Sequence, residues 1–345
     1  MRVVTGPVIV IGTFLEADLV QRVAGAVPSA RLVYEPDLLP EPRFPCDHTG
    51  RPRDLTAADL ERWRSLAENA DVYFDFDWLD PASMPKRSPR LRWVQATSAG
   101  IGGFMRRTGL DGSGIAVTTA AGIHAVPLAE FAVMGALHFV KGVPHLQASQ
   151  RDRHWEQYTT RQLAGLRALV VGLGGIGRAV AATFSRLDIE VYGLGRDGRR
   201  YDVPGVTNVI CRSDLDDVLP SVDILVLACP LTPETEGLIG AHQIGQLKPE
   251  AIIINVARGQ VVDQQALTAA LRDRRIVGAC LDVFADEPLP PDDALWGFDN
   301  VLISPHSASI VATENAELTD LFIDNLGRFL AGAPLRNRYD PARGY

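Results

Sequence analysis

Short runs of apolar, mostly β-branched residues recur along the chain, separated by longer stretches whose apolar positions return every three or four residues. The first pattern predicts strands and the second amphipathic helices, and their alternation predicts an α/β protein built on parallel sheets. Two such series are present. The first predicts strands at residues 8–11, 72–74, 93–95 and 116–118, with helices at 16–27 and 57–69. The second predicts strands at 168–171, 190–192, 224–228, 251–256, 278–283 and 301–304, with a helical run at 178–187. Its near-continuous apolar runs predict strands covered on both faces. Between the series a helix is expected at 126–140, with Pro127 suited to its first turn. Gly142 and Pro144 should break or kink it before a short continuation to about residue 149. A last helix is expected at about 313–330, ending near Gly332 and Pro334. Residues 36–52 hold five prolines with Cys46, His48 and two arginines, and are read as a loop.

Length and composition narrow the picture. At 345 residues the chain exceeds the ~100 to 200 of one domain, which favours two. With 46% hydrophobic and 22% charged residues it can bury a core. Forty-two acidic against 34 basic residues leave a net charge of -8, which opposes capture by nucleic acid or an anionic membrane. A small molecule is the expected partner. The four cysteines form no CxxC pair, which argues against a zinc knuckle or a disulfide framework and favours the cytoplasm. His138, His145 and His154 lack ligand spacing, so no metal is expected. Residues 125–140 are the most apolar stretch but are interrupted by Glu130 and His138 and fall short of the ~20 residues that cross a bilayer.

The chemistry begins at Gly172-Leu173-Gly174-Gly175-Ile176-Gly177, a GxGxxG that follows a predicted strand and opens a helix. A dinucleotide fold needs that context. The first glycine permits the tight turn, the second lets backbone approach a pyrophosphate, and the third lets helix pack on strand. At the end of the next strand an acid would bind the ribose hydroxyls of NAD. Gly195 stands there instead, followed by Arg196, Arg199 and Arg200, which points to NADP. Asp197 keeps NAD open as the alternative if the turn is shifted by about two residues.

Several ordered runs resemble the D-isomer-specific 2-hydroxyacid dehydrogenase family across nearly the whole chain. They are the glycine motif, Pro230-Leu231-Thr232-Pro233-Glu234-Thr235-Glu236-Gly237-Leu238-Ile239, Asn255-Val256-Ala257-Arg258-Gly259 with Val262-Asp263, Leu281-Asp282-Val283-Phe284 with Glu287-Pro288-Leu289, and Ser304-Pro305-His306. The resemblance implies two Rossmann-like, doubly wound parallel-sheet domains with the active site in the cleft between them. Residues 1–122 and 310–345 would form the substrate domain and 123–309 the dinucleotide-binding domain. It also implies a homodimer built by the region 126–149, with packing of that region between the domains of one chain as the equal alternative, and it is of the glyoxylate/hydroxypyruvate reductase type.

Reducing a 2-keto acid requires a cation for its oxygens and an acid to protonate the developing alkoxide. Arg258, after the strand 251–256, suits the first role because a planar guanidinium can bind two oxygens together. His306, after the strand 301–304, suits the second. The resemblance assigns Glu287 as the carboxylate that orients His306, Asp282 as the partner of the nicotinamide carboxamide, and Pro230 and Ala257 as further cofactor contacts. It assigns the backbone of Ser98, Ala99 and Gly100 to the substrate carboxylate. Ile101-Gly102 departs from the family, many of whose members carry an acid there. Glu287 stands where formate dehydrogenases of the family carry glutamine, which disfavours formate oxidation. No regulatory domain is expected after Tyr345, which would disfavour the longer phosphoglycerate dehydrogenases. Phe74-Asp75-Phe76-Asp77-Trp78 either lines a pocket for a group larger than methyl or packs its phenylalanines into the core. The resemblance also reaches corepressors that bind dinucleotide, so a nucleotide-sensing interaction protein is the alternative function.

Overall fold

The computed structural model describes residues 6–196 and 202–345. The chain forms two compact units, Met1–His124 with Ile310–Tyr345, and Ala125–Ser309.

The first unit holds five parallel strands, β1 (Val8–Ile11), β2 (Arg31–Val33), β3 (Val72–Phe74), β4 (Trp93–Gln95) and β5 (Ala116–Thr118), in the order β2-β1-β3-β4-β5. β1 is buried along its whole length, as its unbroken apolar run requires. The helix Ala57–Ala67 starts where Thr56 and Asp59 cap each other reciprocally. The helix Glu314–Leu330 returns to this unit and buries Leu318, Phe322 and Leu326 against the sheet. Phe322 stacks on Trp93 at 5.2 Å and meets Phe74 edge-on at 4.9 Å between ring centres. Phe74 is therefore core and lines no pocket, while Phe76 packs on Phe104 at 4.4 Å. Residues 36–52 are mostly irregular, closed by an antiparallel bridge between Glu41 and Arg51.

The second unit holds seven parallel strands: β6 (Arg167–Val171), β7 (Glu190–Leu194), β8 (Asn208–Ile210), β9 (Ile224–Leu227), β10 (Ile252–Asn255), β11 (Gly278–Leu281) and β12 (Val301–Ile303). Their order is β12-β11-β10-β9-β6-β7-β8, so the winding reverses between β9 and β6. Open α/β sheets bind ligands at the carboxyl ends of strands beside such a reversal. Separate apolar clusters cover the two faces of the sheet, which is why its central strands read as continuous apolar runs. The helix Ala125–Val140 stops at Gly142, whose φ of 64° is left-handed, and the helix Val143–Asp152 leaves at a bend of 58° with Pro144 in its first turn. Among the described residues no single helix is long and apolar enough to cross a membrane. All four cysteines are free.

Candidate active site

At the winding reversal β6 runs into the helix Gly175–Ser185 through the glycine motif. Gly172 has φ of 93°, and a Cβ there would lie 2.6 Å from Cys229 Cα, so only glycine can make this turn. A Cβ on Gly177 would sit 1.8 Å from the Gly172 oxygen, so helix and turn touch through bare backbone. A Cβ on Gly174 would meet nothing within 4 Å and would occupy the open space in front of the helix start. That is a cradle for a phosphate group against helix N-terminal amides, and it fits a dinucleotide. β7 ends at Leu194; the Gly195 N–H donates to the Ile210 carbonyl at 3.1 Å, and the exposed Arg196 follows. Asp197, Arg199 and Arg200 lie outside the described residues. After β9, the Pro230 carbonyl accepts from Thr235 Oγ1 at 2.6 Å.

Three more strand ends bring Arg258, Glu287 and His306 together. Buried Asn255, the last residue of β10, pins the turn that follows: its Oδ1 accepts the Ala257 N–H at 3.0 Å and its Nδ2 donates to the Arg258 carbonyl at 3.2 Å. Arg258 Nη1 donates to the Ala257 carbonyl at 2.6 Å. Burial pulls the Arg258 guanidinium below its usual range, while the charges of Glu287 and Asp282 oppose that. Next to it, a Cβ on Gly259 would lie 1.8 Å from the carbonyl carbon of Phe284, so the Arg258 turn rests directly on the segment after β11. That segment holds Glu287 in place, the Phe284 N–H donating to its Oε1 at 2.9 Å.

Glu287 Oε2 meets His306 Nδ1 at 2.7 Å. Burial would raise the Glu287 carboxyl, but the bonds from His306 and the Phe284 N–H, with the charges of His306 and Arg258, outweigh it and hold the group below the usual carboxylate range. Both side chains are partly exposed, as a group that exchanges a proton with a ligand must be. His306 has a left-handed φ of 54°, a strained conformation for a residue with a Cβ. Asp282 holds that turn: its carbonyl accepts the His306 N–H at 2.9 Å, and its Oδ1 accepts Ser304 Oγ at 2.6 Å and the Ser307 and Ala308 N–H groups at 3.0 Å each. The resemblance pointed Asp282 at the nicotinamide; one of its oxygens is in fact committed to the His306 turn. In the first unit, Ser98, Ala99 and Gly100 follow β4 at its carboxyl end, and the Ser98 carbonyl accepts the Ala120 N–H at 3.1 Å.

Residues 133–308 match the family model described as D-isomer specific 2-hydroxyacid dehydrogenase, NAD binding domain. The chain belongs to the D-isomer specific 2-hydroxyacid dehydrogenase family. It is 38% identical over 225 residues to a glyoxylate reductase of Thermofilum pendens, covering 64% of this chain and 66% of that relative. It is 30% identical to a hydroxyphenylpyruvate reductase of Plectranthus scutellarioides, over 82% of this chain and 87% of that one. A crystal structure of a D-isomer specific 2-hydroxyacid dehydrogenase from Xanthobacter autotrophicus Py2, in complex with NADPH and MES, superposes with a TM-score of 0.77 at 30% identity, covering 99% of this chain and 100% of that one. Membership of this dehydrogenase family makes the protein a dinucleotide-dependent oxidoreductase of 2-hydroxy acids and their keto counterparts.

Asn255 and Gly259 belong to this dehydrogenase's site through their backbone contacts, a role that no single residue type announces. Gly259→Ala should push the Arg258 turn off Phe284. A loss of at least about 10-fold in kcat/KM with a lowered melting temperature is expected, because a small misplacement of a substrate-orienting group is costly. Wild-type values of both would show that the turn tolerates a side chain.

Proposed function

We propose that the protein reduces a small 2-keto acid to the D-2-hydroxy acid with NADPH, in the cytoplasm and as a homodimer. The observation that carries the reading is the 2.7 Å bond between Glu287 and His306 Nδ1, beside an arginine whose turn packs on the same segment. When bound, the dinucleotide supplies hydride. Arg258 takes the keto acid's carboxylate and carbonyl oxygens and stabilises the alkoxide as charge develops. Glu287 holds Nδ1 of the His306 ring, which leaves Nε2 to deliver the proton to that oxygen. The family resemblance assigns the backbone amides of Ser98, Ala99 and Gly100 to the carboxylate of the substrate. A net charge of -8 opposes capture by nucleic acid or an anionic membrane surface. The test is consumption of NADPH and NADH by purified protein with glyoxylate, hydroxypyruvate, pyruvate and bulkier keto acids. Nucleotide binding with no turnover of any of them would favour the sensor alternative.

NADPH is favoured over NADH because Gly195 follows the end of β7 with Arg196 next, and because the Xanthobacter relative was crystallised with NADPH. Arg196→Leu should raise KM for NADPH about 10-fold or more and leave NADH little changed, since a charge-assisted bond to phosphate is lost. Equal effects on both cofactors would return the assignment to NAD. The homodimer is supported by Val126, Met134, Leu137, Leu146 and Trp155, exposed apolar side chains on or beside the helices Ala125–Val140 and Val143–Asp152. Leu137→Glu should sediment as a monomer where the parent protein sediments as a dimer. A monomeric parent would end the proposal.

A further inference from the structure

Between β11 and β12 of the second unit, Glu287 is carried on an irregular loop, residues 285–293. Pro288, Pro290 and Pro291 donate no backbone hydrogen bonds, so much of what fixes this loop must come from outside it. One side chain takes both of its ends. Gln264 is the first residue of the helix Gln264–Arg272. Its Oε1 accepts the Ala285 N–H at 2.9 Å where the loop begins, and its Nε2 donates to Asp293 Oδ2 at 3.1 Å where the loop ends. A carboxamide carries an acceptor and a donor side by side, as these two ends require.

The groups around this carboxamide are themselves anchored. Asp263 caps the helix by accepting the Ala266 N–H at 3.0 Å, and Leu267, Ala270 and Leu271 bury its inner face. At the far end, Asp293 Oδ1 accepts the N–H of the fully buried Leu295 at 2.8 Å. At the near end, the Ala285 carbonyl accepts Gln260 Nε2 at 2.8 Å, so the Ala285 backbone is held on both its polar groups. A Cβ on Gly259 would also lie 2.3 Å from the Ala285 nitrogen. The stretch 258–264, which begins with Arg258, and the loop that carries Glu287 are therefore joined at several points. The peptide that Gln264 Oε1 grips is the one linking Ala285 to Phe284, and the Phe284 N–H is the donor to Glu287 Oε1.

We propose that Gln264 is a positioning residue of the reaction: by closing the loop 285–293 with a single carboxamide, it sets where Glu287 stands against His306 and beside Arg258. The inference rests on the reductase reading and adds a residue to that site. An apolar side chain of similar length would leave the Ala285 N–H and Asp293 Oδ2 without this partner and free the loop to shift. Glu287 would move with it, the His306 ring would lose its fixed orientation, and a small misplacement of a reacting group is costly in rate.

The experiment uses Gln264→Met, which keeps the length of the side chain and removes both bonds. It should lower kcat with glyoxylate or hydroxypyruvate about 10-fold or more while NADPH affinity stays parental. The acid limb of the pH profile should move as well. Burial raises the Glu287 carboxyl, and the groups that outweigh it are His306, the Phe284 N–H and Arg258, so a loosened loop lets the carboxyl rise toward its ordinary 4.5 and the acid-side loss begins at higher pH. Asp293→Ala cuts the same closure at its other end and serves if Gln264→Met folds poorly; Asp293→Asn, which keeps an acceptor, should recover most of the rate. The double variant Gln264→Met/Asp293→Ala should be no slower than Gln264→Met, because the two changes remove one shared bond. Parental kcat in Gln264→Met, an acid limb that does not move, or a loss of NADPH affinity equal to the loss of kcat overturns the inference and leaves the reductase reading standing. If the parent protein turns over no keto acid, the reductase reading falls. The closure is then judged by amide hydrogen exchange, in which Gln264→Met should speed the Phe284 and Ala285 amides about 10-fold or more; unchanged exchange overturns it.

Discussion

His306→Ala should lose about 10²- to 10⁴-fold in kcat while binding NADPH as the parent protein does, the span typical of removing a positioned general acid. The ring is held at Nδ1 by Glu287, so its other nitrogen is the one available to a reacting oxygen. Nothing else in the set can replace it: Arg258 does not give up its proton near neutrality, and Glu287 is held ionised. Because residue 306 has a left-handed φ, His306→Asn is the cleaner companion, as asparagine tolerates that backbone better than alanine. Steady-state rates and a fluorescence titration of NADPH decide the matter. Full turnover in either variant would sink the assignment of the acid.

Arg258→Ala should fall by about 10²- to 10³-fold in kcat/KM, and Arg258→Lys should recover only part of it. Arg258 is a buried cation, and in the proposed reaction the larger loss follows from removing it from the charge that develops in the transition state. Lysine keeps the charge but not the planar pair of donors that can hold two oxygens at once. A pH profile adds an independent sign. Glu287 orients His306 as a carboxylate, and its folded value lies below the ordinary glutamate value of 4.5. Its contribution is therefore complete above that value and is lost as pH falls through the lower, folded one. The Arg258 charge is among the causes of the lowering, so in Arg258→Ala the acid-side loss should begin at higher pH. An unmoved acid limb together with parental kcat/KM would remove Arg258 from the site.

Both sheets were legible in the apolar runs, and the errors have a physical pattern. The runs ending at Val256 and Val283 overshoot β10 and β11 because both residues are buried in the turns beyond the ladder, and apolar character reports burial rather than strand pairing. β2 and β8 left no comparable signal: each has three residues with a single buried position. The bend after Val140 was foreseeable from Gly142 and Pro144, since both act on their own backbone.

The sequence by itself determined what neighbours along the chain enforce: the parallel strands, the glycine turn that admits no Cβ at residues 172 and 177, and the three strand ends that carry Arg258, Glu287 and His306. Only the tertiary structure decided what depends on meeting across the chain. It put Phe74 under Phe322 in the core, committed an Asp282 oxygen to the His306 turn, and gathered Thr13, His48, Asp75, His124 and Glu314 at one sheet edge. A turn is written in the residues that make it. A buried pair between distant segments exists only once the strands beneath them have set the spacing, and no residue type in either segment announces it.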